Sequence, residues 1–190
     1  MKEIDLIERQ LDSKLIFDGR ILHVYDDTVS LPNGHTASRE LIRHVGAVCV
    51  LPLTDDGNVI VERQYRYPVG RVLTEIPAGK LDSKQEDHEY AARRELREET
   101  GLRIVRIDDV LDGSYSAIGF SNERNICVFG VAEGEFTRST SDAEEIVPGW
   151  YTKEEMRALL RTEAFAARTM AYCYAWAYGG VPAGAGGAGK

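Results

Sequence analysis

Residues 79–102 read GKLDSKQEDHEYAARRELREETGL, and this stretch sets the terms for the rest of the chain. Residues 86–100 contain neither Gly nor Pro and are rich in Ala, Glu, Arg and Leu, which favour helix. Gly101 follows directly and suits the left-handed residue that closes a helix. A helix over 86–100 is therefore expected. At about 100° per residue, Glu98 falls about 60° behind Glu95 and Glu99 about 40° ahead of it, so three carboxylates share one arc. Like charges at such spacings repel and weaken a helix. Two readings fit. The arc is either a solvated acidic face balanced by Arg93, Arg94 and Arg97, or a set of hard oxygen donors for a divalent cation and the phosphate oxygens that complete its shell.

The pattern around the cluster separates them. Gly79 is followed by six residues, Glu86, seven residues, and then Arg94-Glu95-Leu96-Arg97-Glu98-Glu99-Thr100-Gly101-Leu102. This resembles the signature of the Nudix family, in which glycine, five residues, glutamate and seven residues precede Arg-Glu-U-x-Glu-Glu-x-Gly-U, with U aliphatic. The one departure is the sixth residue before Glu86, which falls in the loop at 82–85, where insertion is tolerated. The resemblance implies that Glu95, Glu98 and Glu99 bind the divalent metal, with Glu86 assisting, and that Arg94 orients a carboxylate through a salt bridge. It implies Mg²⁺, or Mn²⁺ in its place. The implied fold is α+β: a Nudix α/β/α sandwich over residues 41–190, with a strand-rich subdomain over 1–40 that is exchanged between subunits of a homodimer.

Four further segments resemble the ADP-ribose pyrophosphatase branch of that family. Glu75-Ile-Pro-Ala-Gly79 leads into the helix stretch, and the branch implies a backbone carbonyl from Ala78 as a metal ligand. The same segment also reads simply as a Pro-Gly turn, with Gly79 free to take a strained φ. Arg63-Gln64-Tyr65-Arg66 matches an Arg-Gln-Tyr-Arg motif and implies a phosphate contact from Arg66, with Arg39 reaching the same site from the neighbouring subunit. Ser116-Ala-Ile-Gly119-Phe-Ser-Asn-Glu123 is similar to Ser-Pro-Gly-Phe-Ser-Asp-Glu, except that Ile118 stands where proline is usual, and implies a positioning role for Glu123. In Ser141-Asp-Ala-Glu144-Glu145-Ile146, Glu144 aligns with a general base on a loop, and Glu145 is the next candidate.

These segments imply attack of water on the diphosphate of ADP-ribose, giving AMP and ribose 5-phosphate, with Glu144, Glu145, Glu99 and Arg94 as the catalytic set. The alternatives are another nucleotide sugar such as GDP-mannose or ADP-glucose, a dinucleotide, or an ADP-ribose sensor without turnover. The complete set of carboxylates favours turnover over sensing.

The rest of the chain is consistent with this. It has 190 residues, 43% of them apolar and 28% charged, ordinary for a globular protein. No run is long and apolar enough for a membrane span, and the start MKEIDLIERQLDSK lacks the apolar core of a signal peptide, so the cytoplasm is the expected compartment. The net charge of −8 argues against a general nucleic-acid surface. Cys49, Cys127 and Cys173 are too scattered for a disulfide framework and are expected to be buried thiols, and the four histidines show no zinc spacing.

Strands are expected over 21–31, 37–44, 45–51 and 59–66, the last two joined by the turn Asp55-Asp56-Gly57-Asn58. Two more are expected over 103–111 and 125–132. Thr152-Lys-Glu-Glu155 has the form of a capping box and opens a helix to about residue 161. A last helix is expected over 164–178, before a Gly/Ala-rich tail over 178–190.

Overall fold

The computed structural model describes residues 6–140 and 144–179, which form two compact units. The first takes in residues 6–46 together with 113–125. The second takes in the remainder.

The first unit is built on a three-stranded antiparallel sheet, β1 (Arg9–Asp18), β2 (His23–Ser30) and β3 (Thr36–Ile42), in the order β1-β2-β3. Strand β1 was not expected. Its sequence, RQLDSKLIFD, has no clean alternation, and its pairing with β2 slips between Gln10 and Asp12 and again between Leu15 and Phe17. Each slip turns the following side chains to the other face, which erases the period of two that a sequence reading uses. Strands β2 and β3 are shorter than the expected 21–31 and 37–44. Arg43, just past β3, lies 3.9 Å over the Tyr25 ring and donates to Asp27 at 3.1 Å. Residues 113–125 join here, with the Ile42 N–H donating to the Phe120 carbonyl at 2.7 Å and the His44 N–H to Asn122 Oδ1 at 2.7 Å.

The second unit is a sheet between two helical layers. Its strands are β4 (Ala47–Leu53), β5 (Val59–Arg66), β6 (Arg71–Glu75), β7 (Ala78–Lys80), β8 (Arg103–Tyr115), β9 (Arg124–Glu133) and β10 (Ile146–Tyr151). The end of β8 and the start of β9 belong to the first unit. The order is β10-β5-β4-β9-β8, with β6 also on β5 and β7 also on β4. The helices are α1 (His88–Thr100), α2 (Lys153–Thr162) and α3 (Ala167–Tyr178).

Alternation along the strands explains the layers. Val48, Val50, Ile60, Ile126 and Val128 pack with Ala91, Ala92 and Leu96 of α1. Cys49, Leu51, Val59, Val61 and Cys127 pack on the other face, with Met156 of α2 and Cys173, Trp176 and Ala177 of α3. Each such Val, Leu or Ile contributes about 1.5–3 kcal/mol by leaving water. The α/β/α sandwich expected from the sequence is present. The three cysteines are buried and free, as expected, and Cys49 and Cys127 share a thiol contact across β4 and β9.

Local chemistry sets the helix ends. Helix α1 begins two residues later than expected, because Asp87 accepts the Tyr90 N–H at 2.8 Å and so acts as the cap. Gly101 closes it at φ 81°. Thr152 and Glu155 form the expected capping box of α2. Helix α3 starts at Ala167 rather than 164, because residues 164–166 are pinned to β6: Thr74 N–H donates to Ala164 O at 2.7 Å and Ala166 N–H to Thr74 O at 3.2 Å. Residues 180–190, most of the expected tail, lie outside the described residues. No helix among the described residues is long and apolar enough to cross a membrane.

Candidate active site

Four elements of the second unit supply the site. On β5, Ile60 faces α1, so alternation turns Glu62, Gln64 and Arg66 to that face too. Strands β6 and β7 bring Glu75, Ala78 and Gly79. Helix α1 presents Glu95, Glu98 and Glu99. A cavity of about 310 Å³ lies among them, lined by Gln64, Arg66, Ala78, Gly79 and these three helix glutamates, and also by Glu144.

Of the three helix carboxylates, two are sunk and one is open. Glu95 and Glu99 are each 8% exposed, whereas Glu98 faces solvent. Glu99 Oε2 accepts the Ala78 N–H at 3.0 Å. Burial first, then the charges of Glu62 and Glu95, push the Glu99 carboxyl up to about 10 against the pull of that N–H. Burial also raises Glu95, against the opposing pull of Arg94.

Arg94 was expected to orient one carboxylate. In the structure it holds three: Nη1 reaches Glu95 at 2.7 Å and Glu98 at 3.4 Å, and Nη2 reaches Glu86 at 3.1 Å. Glu86 also accepts the Asp82 N–H at 2.6 Å, and its own N–H donates to Ser83 O at 3.2 Å. The extra residue before Glu86 is thus absorbed in a tight turn closed by Glu86 itself.

Gly79 corrects one expectation. Its φ is not among the positive ones, so no strained backbone calls for glycine. Space does: a Cβ there would collide with the Glu95 carboxyl group.

Arg66 is clamped from below by Glu75, with Nε to Oε1 at 2.6 Å and Nη2 to Oε2 at 3.0 Å, which leaves Nη1 outside that pair. A second cavity of about 370 Å³ shares Gln64, Arg66 and Glu144 with the first and adds Tyr65, Tyr67 and Glu145. Glu144 and Glu145 part company here. Glu144 lines both cavities, while Glu145 lines only the second and pairs with Arg138 at 2.5 Å. Ser141, Asp142 and Ala143 of the same segment lie outside the described residues.

Arg39 and Glu123 belong to the first unit. There Arg39 is held by both oxygens of Glu8, at 2.6 and 2.9 Å, and the Glu123 carbonyl accepts the Ser116 N–H at 3.0 Å.

Sequence reasoning missed Gln64 as a cavity-lining residue, and Glu62 and Glu75 as buried carboxylates beside it. The available signal was a carboxylate and an amide at the core-facing register of a strand whose other residues are apolar.

Among the described residues no three Asp, Glu, His or Cys side chains already converge as a cation cage. Arg94 accounts for this by drawing Glu86, Glu95 and Glu98 to its own guanidinium. The donor set nevertheless fits a hard divalent ion. It is all oxygen, burial and then repulsion raise the Glu99 carboxyl, and one carboxylate oxygen, Glu62 Oε2, is buried with no hydrogen-bond partner.

Comparison with known proteins places the chain among its relatives. A Bacillus subtilis protein named ADP-ribose pyrophosphatase is 42% identical over 123 residues, 65% of this chain but just under two thirds (64%) of that protein's length. A Mycobacterium tuberculosis protein of the same name is 35% identical over 156 residues, 80% of this chain and 75% of its own. A solved structure described as an ADP compounds hydrolase superposes with a TM-score of 0.73 at 21% identity, covering 95% of this chain and 100% of that one, which speaks for the fold alone. Residues 8–42 match the nucleoside diphosphate sugar hydrolase N-terminal domain, and residues 43–173 match the NUDIX domain. A domain match running from just past the N-terminal sheet into the last helix leaves one conclusion: this chain belongs to the Nudix family.

Proposed function

We propose that this chain hydrolyses the pyrophosphate bond of a nucleoside-diphosphate sugar, with ADP-ribose, split to AMP and ribose 5-phosphate, as the first choice. The observation that carries this reading is the meeting of Glu95, Glu98, Glu99 and Ala78 with Arg66 on one cavity, oxygen donors for a cation beside a guanidinium for phosphate. The names of the two relatives support ADP-ribose as the substrate.

A divalent ion, Mg²⁺ by preference with Mn²⁺ as the alternative, would be held by the three glutamates and the Ala78 carbonyl. When bound it supplies charge neutralisation and Lewis acidity at the diphosphate. The chain's own residues do the rest. Arg66, fixed by Glu75, binds a phosphate oxygen. Arg94 keeps the helix carboxylates in register. Glu144 takes the proton of the attacking water as its oxygen bonds to one phosphorus and the bridging oxygen leaves with the other phosphate. Glu144 is favoured over Glu145 because it borders both cavities and Glu145 is engaged by Arg138.

The reading includes a homodimer, in which Arg39 reaches the partner's site and Glu123 positions its loop. Exposed Leu11, Leu15 and Phe17 on β1 support an association through the N-terminal strands.

The test is a Mg²⁺-dependent hydrolysis screen over ADP-ribose, GDP-mannose, ADP-glucose and diadenosine polyphosphates. ADP-ribose is expected to turn over fastest, with AMP and ribose 5-phosphate as products. Binding of ADP-ribose without turnover would overturn the enzymatic reading, and faster cleavage of GDP-mannose would move the substrate.

A further inference from the structure

Glu62 has no role in the reading above, yet at 1% exposure it is the most deeply buried carboxylate of the site. Its strand makes its direction unambiguous. Val59 and Val61 pack toward α2 and α3, and Ile60 packs toward α1. Glu62 therefore shares the α1 face with Gln64 and Arg66, both of which line the cavity. An apolar residue would continue the pattern of Val59, Ile60 and Val61, so the carboxylate here needs a reason.

Its surroundings do not satisfy it. Oε2 is fully buried and accepts no hydrogen bond. A buried polar oxygen left in that condition is costly. Its cross-strand neighbour on β6 is Glu75, another carboxylate. The nearby cation, Arg66, is taken up by both oxygens of Glu75. The other groups that act on Glu62 are Glu144 and Glu95, and Glu62 in turn acts on Glu99, so acidic groups meet it from β6, from α1 and from the segment before β10. Burial first, then the Glu75 charge, push its carboxyl up to about 8.

Every feature of this position calls for a positive partner on the α1 side. We propose that Glu62 is a further ligand of the divalent-cation site, its unpartnered oxygen joining those of Glu95 and Glu99. The proposal rests on reading the cavity as a cation site and extends that site from the helix into the sheet. Glu75 and Arg66 then have a second function, flanking Glu62 within the sheet while its unpartnered oxygen stays on the α1 face.

The test uses Mn²⁺ alone as the probe, with its dissociation constant measured from loss of the free-ion paramagnetic resonance signal. Wild type, Glu62→Gln, Glu62→Asp and Glu99→Gln are compared, with circular dichroism to confirm folding. Glu62→Gln is expected to weaken Mn²⁺ binding about tenfold or more, the scale seen when groups that support a metal site are removed. Glu62→Asp, which keeps the charge on a shorter arm, is expected to weaken it less. The metal-free melting temperature of Glu62→Gln is expected to rise, because a neutral amide replaces a buried acid. Unchanged Mn²⁺ affinity in Glu62→Gln, with Glu99→Gln weakened, overturns the role of Glu62 and leaves the cation site standing. If Glu62→Gln does not fold, wild-type affinity in Glu62→Asp overturns it equally. Failure of the wild-type protein to bind Mn²⁺ overturns the cation site itself, and this inference with it.

Discussion

The carboxyl group of Glu95 lies against the Cα of Gly79, in the space that a Cβ on residue 79 would fill. Strand β7 and helix α1 are therefore in contact at the point where a metal-binding carboxylate is proposed. Gly79→Ala must push Glu95 aside or lift β7. We expect kcat/KM on a nucleotide sugar to fall at least about tenfold, which corresponds to about 1.4 kcal/mol of transition-state stabilisation. Overpacking is expected to lower stability by about 1–3 kcal/mol. Steady-state kinetics and thermal melts check both, and full activity in the alanine variant would show that Glu95 has room to move.

Acidity links the site to stability. The carboxyls of Glu99 and Glu62 stand at about 10 and about 8 in the folded protein, against about 4.3 for a glutamate in an unfolded chain. The folded state therefore binds these protons more tightly. The stability this contributes is whole below about pH 4.3 and is lost as pH rises through the folded values. In chelator, the melting temperature is expected to fall between pH 6 and pH 9. Mg²⁺ is expected to flatten that slope, because an ion replaces the protons. Scanning fluorimetry across this range checks it, and equal slopes with and without Mg²⁺ would count against ion binding at these groups.

Glu144 and Glu145 are separable by kinetics. Glu144→Gln is expected to lower kcat by about 10²–10⁴, the range for loss of a general base. Glu145→Gln is expected to stay within a few-fold of wild type, since it loses only an exposed pair with Arg138. The reverse pattern would transfer the base to Glu145.

Arg66→Ala removes the guanidinium proposed to bind phosphate and also strands Glu75, which is 7% exposed. KM is expected to rise, and stability to fall by about 1–3 kcal/mol, because Glu75 is left buried without its partner while the Arg66 side chain is 36% exposed. Arg66→Lys is expected to restore part of the stability but little of the KM, because an ammonium lacks the planar fork. Chemical denaturation and substrate titration separate the two effects.

What the sequence made legible follows from how strongly each local rule was obeyed. Helix α1 and its closure at Gly101 were readable because a Gly- and Pro-free composition and a left-handed glycine agree, whereas the Asp87 cap that sets its start was not read. Strands β4 and β5 were readable because an unbroken apolar run and a turn at Gly57 define them. Strand β1 was not, since two register slips scramble its pattern, and neither were β6, β7 and β10, which are short and take their form from pairing with β5 and β4. The site divides in the same way. Glu95, Glu98 and Glu99 share one arc by their spacing and stand out through the family resemblance around them, whereas Glu62 and Glu75 come together through a cross-strand pairing that no linear spacing records.

Arg94, holding Glu86, Glu95 and Glu98 at once, has a consequence for how the protein comes into being. A guanidinium built into the chain is present at every moment of synthesis, whatever the supply of ions. The acidic helix thus has an internal counter-charge while the chain matures. On the proposed reading, a dissolved ion arriving later would not meet naked acids but would compete with a tethered rival for them, so its capture would be an exchange of one cation for another.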